Sequence, residues 1–294
     1  MSQIRVYIAL ILAMVFWGFS FTGTKFSLDS LHPVWLIFFR LSVSVVFLFI
    51  LMLVTKRLKA FKKADAKWFI LLALFEPFVY FLGETFGVRL VSSILSSVII
   101  ATIPLFVAIA GVIFLKKKPG LIVYLGIFFS VIGVLLMVLK PDMSLNADPL
   151  GILFLFVAVF AAVGYTLIIF KLVQRYSPLE IIAWENLIGI IFFIPLLFFN
   201  PLAIGEITFS YKLVFIILML GIFPSSLSYM FFNWGVKRLG MNRATIFTNA
   251  IPLVTAVIAY FWLGERFTLQ NVIGMLIVIV SLTLSQILTK NEEN

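Results

Sequence analysis

The chain has 294 residues, of which 63% are hydrophobic and 12% are charged, and its formal net charge is +10. Soluble domains are about half apolar and about one quarter charged, so this composition excludes an ordinary soluble globule and indicates an integral membrane protein. The absence of cysteine and the single histidine, His32, exclude disulfides, thiol catalysis and a histidine metal cluster. We therefore predict no catalytic, cofactor or metal site. We interpret the basic charge as a sign of membrane topology rather than of nucleic-acid binding.

The apolar stretches are long enough to be membrane-spanning helices, because about 20 apolar residues cross the hydrocarbon core. The first stretch, MSQIRVYIALILAMVFWGFSF, lacks the small-residue pattern of a cleavage site, and we interpret it as a retained helix. The sequence predicts ten spans joined by short loops, at about 5–26, 34–55, 67–86, 92–115, 120–139, 149–172, 179–199, 212–235, 243–263 and 269–289.

Lysine and arginine are distributed unevenly among the loops. With the N-terminus inside, the inner loops hold the cluster over residues 56–67, the run Lys116–Lys118, and Lys237 with its neighbours, whereas the outer loops hold single residues such as Arg89. Basic loops are retained in the cytoplasm. The sequence therefore predicts a multi-pass protein whose N- and C-termini both face the cytoplasm.

An internal repeat is visible in the sequence. The stretch GVRLVSSILSSVIIATIPL begins at Gly87, and GVKRLGMNRATIFTNAIPL begins at Gly235; each reaches an IPL motif after the same number of residues. Upstream, SLHPVWLIFFR and RYSPLEIIAWE align Pro33 with Pro178. A fixed internal offset indicates that one structural unit occurs twice.

The repeat predicts two five-helix halves, residues 1–145 and 146–294. Because five is odd, the second half crosses the membrane in the opposite sense to the first. Inverted repeats of this kind are typical of secondary transporters, which hold substrate near the midplane where the repeats meet. Pro104 and Pro252 occupy equivalent positions, so we predict that they are hinges beside a central cavity.

The C-terminal stretch LSYMFFNWGVKRLGMNRATIFTNAIPLVTAVIAYFWLGERFTLQNVIGMLIVIVSLTL resembles the second repeat of the EamA family, in the drug/metabolite transporter superfamily. The first half resembles the family more weakly, through WGFSFTGTK, Arg40 and Pro104. The resemblance implies ten helices in two inverted five-helix repeats. It also implies export of small metabolites, such as amino acids, across the bacterial inner membrane.

Acidic residues within predicted spans are costly and are functional candidates by default. Glu76 lies near the middle of the third span and shares a helical face with Tyr80 and Glu84. We predict that Glu76 and Tyr80 face a substrate cavity. The alternative for Glu76 is a structural bond to a neighbouring helix, and Glu84 lies near enough to the outer end to reach water.

Arg40 and Glu185 lie at equivalent depths after Pro33 and Pro178. The symmetry predicts a cationic and an anionic anchor for a zwitterion such as an amino acid. The alternatives are that Arg40 snorkels to the membrane surface and that Glu185 has a structural role.

Other polar and aromatic residues complete the predicted cavity, which suits an apolar or aromatic metabolite with a polar head. The alternative is that hydroxyls bond their own helix and that aromatic rings pack or lie at the membrane interface. The remaining candidates are Trp17, Ser20, Phe21, Thr24, Tyr165, Trp184, Tyr229, Asn233, Thr245, Thr248 and Asn249.

These patterns predict a secondary transporter that exports small metabolites, amino acids or related compounds, by alternating access at the repeat interface. Its partners are a small-molecule substrate and the lipid bilayer, with protons as a candidate coupling ion through Glu76. The chain has no Walker phosphate loop, so it does not hydrolyse ATP. The alternatives are a flippase for a lipid-linked substrate and a membrane scaffold without cargo; dispersed acids and one histidine disfavour an intramembrane enzyme.

Overall fold

The structure, a computed structural model, describes residues 3–115, 121–139, 147–198 and 209–292. The regular structure of these residues is helical, which confirms the prediction of an all-α fold. The α-helices are α1 (Gln3–Ser27), α2 (Pro33–Val54), α3 (Ala66–Ala73), α4 (Tyr80–Leu90), α5 (Ser93–Ile100), α6 (Ile103–Leu115), α7 (Leu121–Val138), α8 (Pro149–Val173), α9 (Pro178–Phe198), α10 (Tyr211–Ile222), α11 (Ser228–Leu239), α12 (Met241–Ile246), α13 (Ile251–Trp262) and α14 (Leu269–Glu292).

Eight helical stretches are long and apolar enough to cross a membrane, and two further apolar helices, Tyr124–Val138 and Leu269–Ser285, are shorter within the described residues. That all ten cross the membrane, and that the halves are inverted, stay predictions. The division at residue 145 and the basic run Lys116–Lys118 lie outside the described residues. The eight are Gln3–Ser27, Pro33–Val54, Lys63–Leu90, Ser93–Gly111, Pro149–Val173, Pro178–Phe198, Tyr211–Leu239 and Arg243–Trp262.

Capping residues and prolines fix where several helices begin. Pro149 opens α8 directly after Asp148, whose carboxylate accepts a hydrogen bond from Leu150 N at 2.8 Å. Proline suits the first turn of a helix because no hydrogen-bond partner is needed there. The same arrangement opens α2, where His32 Nδ1 accepts from Val34 N at 3.4 Å. Burial, followed by the nearby positive charge of Arg89, lowers the pKa of His32 and favours the neutral ring that can accept this bond.

Four of the stretches are interrupted near their middles. Two contain π-helical turns, Leu74–Val79 between α3 and α4 and Phe223–Leu227 between α10 and α11, and each includes a proline. The other two breaks precede α6 and α13, whose second residues are Pro104 and Pro252. Each proline therefore lies in the first turn of a new helix, where it is tolerated, rather than in the middle of a continuous one. Their role as hinges stays a prediction.

Glycines allow the closest contacts between residues 3–139 and residues 147–292. In the pair α7–α14, a Cβ on Gly133 would lie 2.6 Å from the carbonyl oxygen of Gly274, and the reverse distance is the same. In the pair α4–α8, a Cβ on Gly83 would lie 2.5 Å from the carbonyl oxygen of Phe154. Small residues allow membrane helices to approach backbone to backbone. The two parts of the chain are thus joined directly along their helices.

The distribution of large apolar side chains suits a lipid environment. Tyr211 and Phe261 are 99% and 81% exposed, whereas Leu41, Phe81 and Phe193 are buried between helices. A helix that is apolar on both its inner and outer sides is typical of a membrane bundle. The main cluster of buried apolar residues surrounds the centre of the bundle, where the polar residues described next are found.

Candidate functional site

A cavity of about 260 Å³ lies at the centre of the bundle, between helices from both parts of the chain. Most of the residues selected from the sequence line it, although their role in binding stays a prediction. They are Trp17, Ser20, Phe21, Arg40, Glu76, Tyr80, Tyr165, Tyr229, Asn233, Thr245 and Thr248, with the hinge candidate Pro104.

Glu76 is placed on the cavity wall by the first π-helical turn. Its backbone is extended (φ −145°, ψ 124°), which interrupts the helix and lets the side chain point inward, where it is 6% exposed. The hydroxyl of Tyr229 donates a hydrogen bond to Glu76 Oε1. The Tyr229 ring in turn packs edge-on against Trp17, with ring centroids 5.1 Å apart. Glu76 is therefore a buried acid that is held by a residue from the other half of the chain.

Arg40 is the basic residue among the described residues of the wall, and it is only 2% exposed. Its Nη1 lies 3.6 Å from Glu84 Oε2, and its Nε donates to Ser225 Oγ at 2.5 Å. The guanidinium carbon lies 4.3 Å from the centroid of the Phe81 ring. The alternative that Arg40 snorkels to the surface is wrong, as is the alternative that Glu84 reaches water, because both side chains are buried and paired with each other.

A second group of polar residues lies behind Arg40. Ser226 Oγ is 2.6 Å from Ser44 Oγ and donates to the carbonyl of Gly221 at 2.8 Å. Asn186 Nδ2 donates to Ser44 Oγ at 2.8 Å and to the carbonyl of Ser225 at 3.2 Å. These bonds join α2, α9 and the second π-helical turn. We did not predict this network, although a proline followed by two serines in the apolar stretch FPSSLSY was a visible signal.

Several predicted residues are absent from the wall that the described residues form. Thr24 is buried in α1, and Asn249 donates to Thr283 Oγ1 at 3.0 Å. Trp184 donates through Nε1 to the carbonyl of Lys59 at 2.9 Å, away from the cavity. Its neighbour Glu185 is buried and does not line the cavity. The hinge candidate Pro252 is also buried outside the wall.

The cavity includes side chains that sequence reasoning did not select. Phe81 and Phe232 add aromatic surface, and the Phe232 ring lies 5.2 Å from that of Trp17. Thr166 and Ser285 add hydroxyl groups to the wall. Phe232 follows Tyr229 by three positions and could have been found from helical spacing. The others depend on how the helices are rotated about their axes.

Bonds between helix ends hold the turn between α4 and α5 in place. Glu265 Oε1 accepts from Ser93 N at 3.0 Å and from Ser93 Oγ at 2.7 Å, at the start of α5. Lys25 Nζ donates to the carbonyls of Val88 and Val91, both at 2.8 Å, at the end of α4. A carboxylate at a helix start and an ammonium at a helix end are both favoured by the helix dipole. These bonds hold the α4–α5 turn to α1 and to the α13–α14 loop.

Apolar helices that could span a membrane, packed around a mainly apolar cavity whose wall includes buried charged side chains, are typical of a multi-pass membrane transporter. The model of the EamA-like transporter family matches residues 4–139 and residues 149–286. The chain therefore belongs to the EamA-like transporter family, as the sequence resemblance predicted, and it is a multi-pass membrane transporter of that kind.

Related proteins support this assignment. The chain is 28% identical over 278 residues to an uncharacterized transporter of Archaeoglobus fulgidus, with 95% of this chain and 97% of the relative covered. It is 21% identical to the uncharacterized transporter YoaV of Bacillus subtilis, with 94% of both chains covered. It is also 26% identical over 170 residues to the uncharacterized inner membrane transporter YicL of Salmonella typhimurium, with 58% of this chain and 56% of the relative covered.

A protein of known crystal structure has the same fold. It aligns with 97% of this chain and 99% of its own length, with a TM-score of 0.70 and 12% sequence identity. At that identity the likeness concerns the arrangement of the helices and carries no information about the substrate.

Proposed function

We propose that the chain is a secondary transporter that exports small metabolites, amino acids or related compounds, by alternating access. The observation that carries the proposal is the central cavity, where Arg40, Glu76 and Glu84 are buried between helices of both halves. Ionisable residues within a bundle of membrane helices mark substrate or ion pathways. The cavity volume of about 260 Å³ is close to the lower end for small-molecule sites.

The proposal includes ten membrane-spanning helices in two inverted repeats, residues 1–145 and 146–294. Two separate matches of the family model, over residues 4–139 and 149–286, support a duplication. The paired π-helical turns and the paired positions of Pro104 and Pro252 at the starts of helices also support it.

We place the protein in the bacterial inner membrane with both termini in the cytoplasm. The unequal distribution of lysine and arginine supports this orientation. The description of YicL as an inner membrane transporter supports the location.

The two ends of the cavity suggest how access would alternate. Glu265 and Lys25 hold the α4–α5 turn, and we propose that their bonds close the cavity at that end; Thr245 and Ser285 line its wall. In the proposed orientation the closed end is the outer end. Release to the outside then requires the Glu265–Ser93 bonds to break, with α6 and α13 moving at the prolines that begin them.

The alternatives are less consistent with this interior. In a scaffold without cargo, buried charges around a central cavity would lower stability without serving a function. A flippase for a lipid-linked substrate needs a lateral opening large enough for a headgroup. The aromatic-lined cavity, with a volume of about 260 Å³, is better suited to a small soluble molecule.

The function is tested with proteoliposomes loaded with a mixed pool of metabolites that includes amino acids. Loss of each compound is followed by mass spectrometry, with and without a pH gradient, against protein-free liposomes. We expect selective loss of one chemical class. The absence of any selective loss from protein shown to be folded would contradict transport. Equal fluxes with and without the gradient, and in Glu76→Gln, would exclude proton coupling through Glu76.

Alternating access can be tested independently because the chain has no cysteine. The single variant Thr248→Cys is treated with a water-soluble thiol reagent, and we expect it to be labelled from the cytoplasmic side. A short bifunctional thiol reagent that links Ser93→Cys to Glu265→Cys should stop transport, whereas either single variant should retain it. Full transport by the linked protein would contradict opening at this end.

A further inference from the structure

The charges on the cavity wall do not balance. Arg40 is the basic group that the described residues contribute to the wall, and Glu76 and Glu84 are its acids. Arg40 is already engaged: Glu84 pairs with its Nη1, Ser225 accepts from its Nε, and the Phe81 ring covers one face of its guanidinium group. The cation therefore neutralises one acid of the wall and has little capacity left for a carboxylate on a ligand.

Glu76 is the acid that is left over. Its hydrogen bond comes from the neutral hydroxyl of Tyr229, and no basic side chain of the described residues forms an ion pair with it. A buried carboxylate is unfavourable unless a positive charge accompanies it. Glu76 therefore supplies a negative site on the wall that a proton or a cationic ligand can fill.

The rings around Glu76 favour a cation over an anion. Trp17, Tyr229 and Phe232 form one contiguous group, with the Trp17 centroid 5.1 Å from that of Tyr229 and 5.2 Å from that of Phe232. Tyr80 and Tyr165 also line the cavity. The face of an aromatic ring carries negative electrostatic potential, and several rings beside a carboxylate are a recurring environment for ammonium groups.

From these three observations we propose that the cavity selects small organic monocations: primary or substituted amines with an apolar or aromatic body and no free carboxylate. This proposal rests on the proposed transport function. It narrows the substrate class from amino acids and related compounds to amines and to amino-acid derivatives whose carboxyl group is blocked as an ester or amide. The ammonium group would lie between Glu76 and the rings of Trp17 and Tyr229.

Neutral polar groups on the wall suit the rest of such a ligand. Ser20 Oγ is buried and has no hydrogen-bond partner among the described residues, and the amide of Asn233 also lines the cavity. They can bind a hydroxyl, ester or amide oxygen. A free carboxylate would add a like charge near Glu76 and Glu84 without a free cation to offset it, and repulsion between buried charges is strong because screening is weak.

The experiment uses four ligands with the same aromatic body: phenethylamine and phenylalanine amide, which are cations, phenylalanine, which is a zwitterion, and 3-phenylpropionate, which is an anion. Binding to the purified full chain is measured from the rise in melting temperature with ligand concentration, because a ligand that binds the folded state stabilises it. We expect the two cations to bind at least about tenfold more tightly than the other two. Equal or tighter binding of phenylalanine than of its amide would overturn the proposal.

Two variants assign the selectivity to the site. We expect Glu76→Gln to weaken binding of the cations at least about tenfold. Asp29 is an exposed acid outside the cavity, and we expect Asp29→Asn to leave binding unchanged. If Glu76→Gln does not fold, Trp17→Leu carries the same test: affinity for phenethylamine should fall several-fold, and affinity for neutral phenethyl alcohol should fall less. Unchanged affinity for the cations in the folded variant would contradict the placement of the ammonium group.

The outcome for the ligand class is separate from that for transport. Selective binding of the cations without any flux in the proteoliposome assay would support the ligand class and contradict the transporter. Flux of zwitterionic amino acids without binding of the amines would support the transporter and overturn the ligand class.

Discussion

The two π-helical turns interrupt their helices in the same way but lie in different surroundings. The first, Leu74–Val79, brings Glu76 onto the cavity wall, where the acid meets a tyrosine. The second, Phe223–Leu227, directs its serines at α2 and α9, where Ser225 holds Arg40. One turn presents a charge to the cavity, and the other fixes a charge that a neighbouring helix supplies.

The difference follows from what each turn packs against. A π-turn adds a residue to the helix, which changes the direction of the side chains around it and leaves backbone groups to be satisfied by neighbours. The second turn has three polar neighbours, Ser44, Asn186 and Arg40. The first has the apolar surface of α8 and α9 on one side and the cavity on the other. A break in a membrane helix therefore acquires its function from its neighbours.

Removing the charge that the second turn holds should have the largest effect. Arg40→Gln leaves Glu84 buried without a cation, and loss of one partner of a buried pair costs about 3–5 kcal/mol. We expect this loss in the free energy of unfolding measured in mixed detergent micelles. The double variant Arg40→Gln with Glu84→Gln should recover much of it. A double variant no more stable than the single one would contradict the pairing.

The packing around the two turns can be compared with matched glycine variants. A Cβ on Gly221, beside the second turn, would lie 2.5 Å from Val43 Cβ and 2.8 Å from the carbonyl of Arg40; a Cβ on Gly189 would collide with the Pro77 ring of the first turn. Overpacking of this kind costs about 1–3 kcal/mol, so Gly221→Ala and Gly189→Ala should both lower the melting temperature. Gly111→Ala is the control, because a Cβ there meets nothing within 4 Å.

The smallest effect should come from one hydroxyl of the second turn. Ser226→Ala removes the bonds to Ser44 and to the carbonyl of Gly221 and should cost about 1 kcal/mol of unfolding free energy. Ser42→Ala is the matched control, because the Ser42 hydroxyl bonds only its own helix at Phe38 and its removal should be nearly neutral. Equal losses in the two variants would mean that the network behind Arg40 contributes no specific stability.

The sequence was sufficient to predict the helices and much of the cavity wall. The length of the apolar stretches predicted the helices. The high cost of an acid inside a membrane helix selected Glu76 as a functional candidate. Both predictions depend only on residue type and spacing. The pairing of Arg40 with Glu84 was not predictable, since it depends on how two helices are rotated toward each other. The same limit explains why the predicted places of Trp184 and Glu185 on the cavity wall were wrong. The rotation of α9 about its axis keeps both side chains off the wall.

The type of helix interruption at each proline could not be predicted from the sequence either. Pro104 and Pro252 suggested kinks within long helices, but each begins a new helix after a turn. The π-turns at Pro77 and Pro224 contain prolines as well, and a proline alone does not determine which break forms. The choice depends on which neighbours satisfy the freed backbone groups, and those neighbours come from distant parts of the chain.

The glycine contacts of α4 with α8 and of α7 with α14 have a consequence for biosynthesis. Each contact joins a helix made early to one made late, and a Cβ on Gly83, Gly133 or Gly274 would collide with the partner helix. A nascent chain that has emerged only as far as α7 therefore carries grooves whose complementary surfaces have not yet been translated. We therefore expect that two fragments made from a gene cut after α7 are stable only when they are produced together.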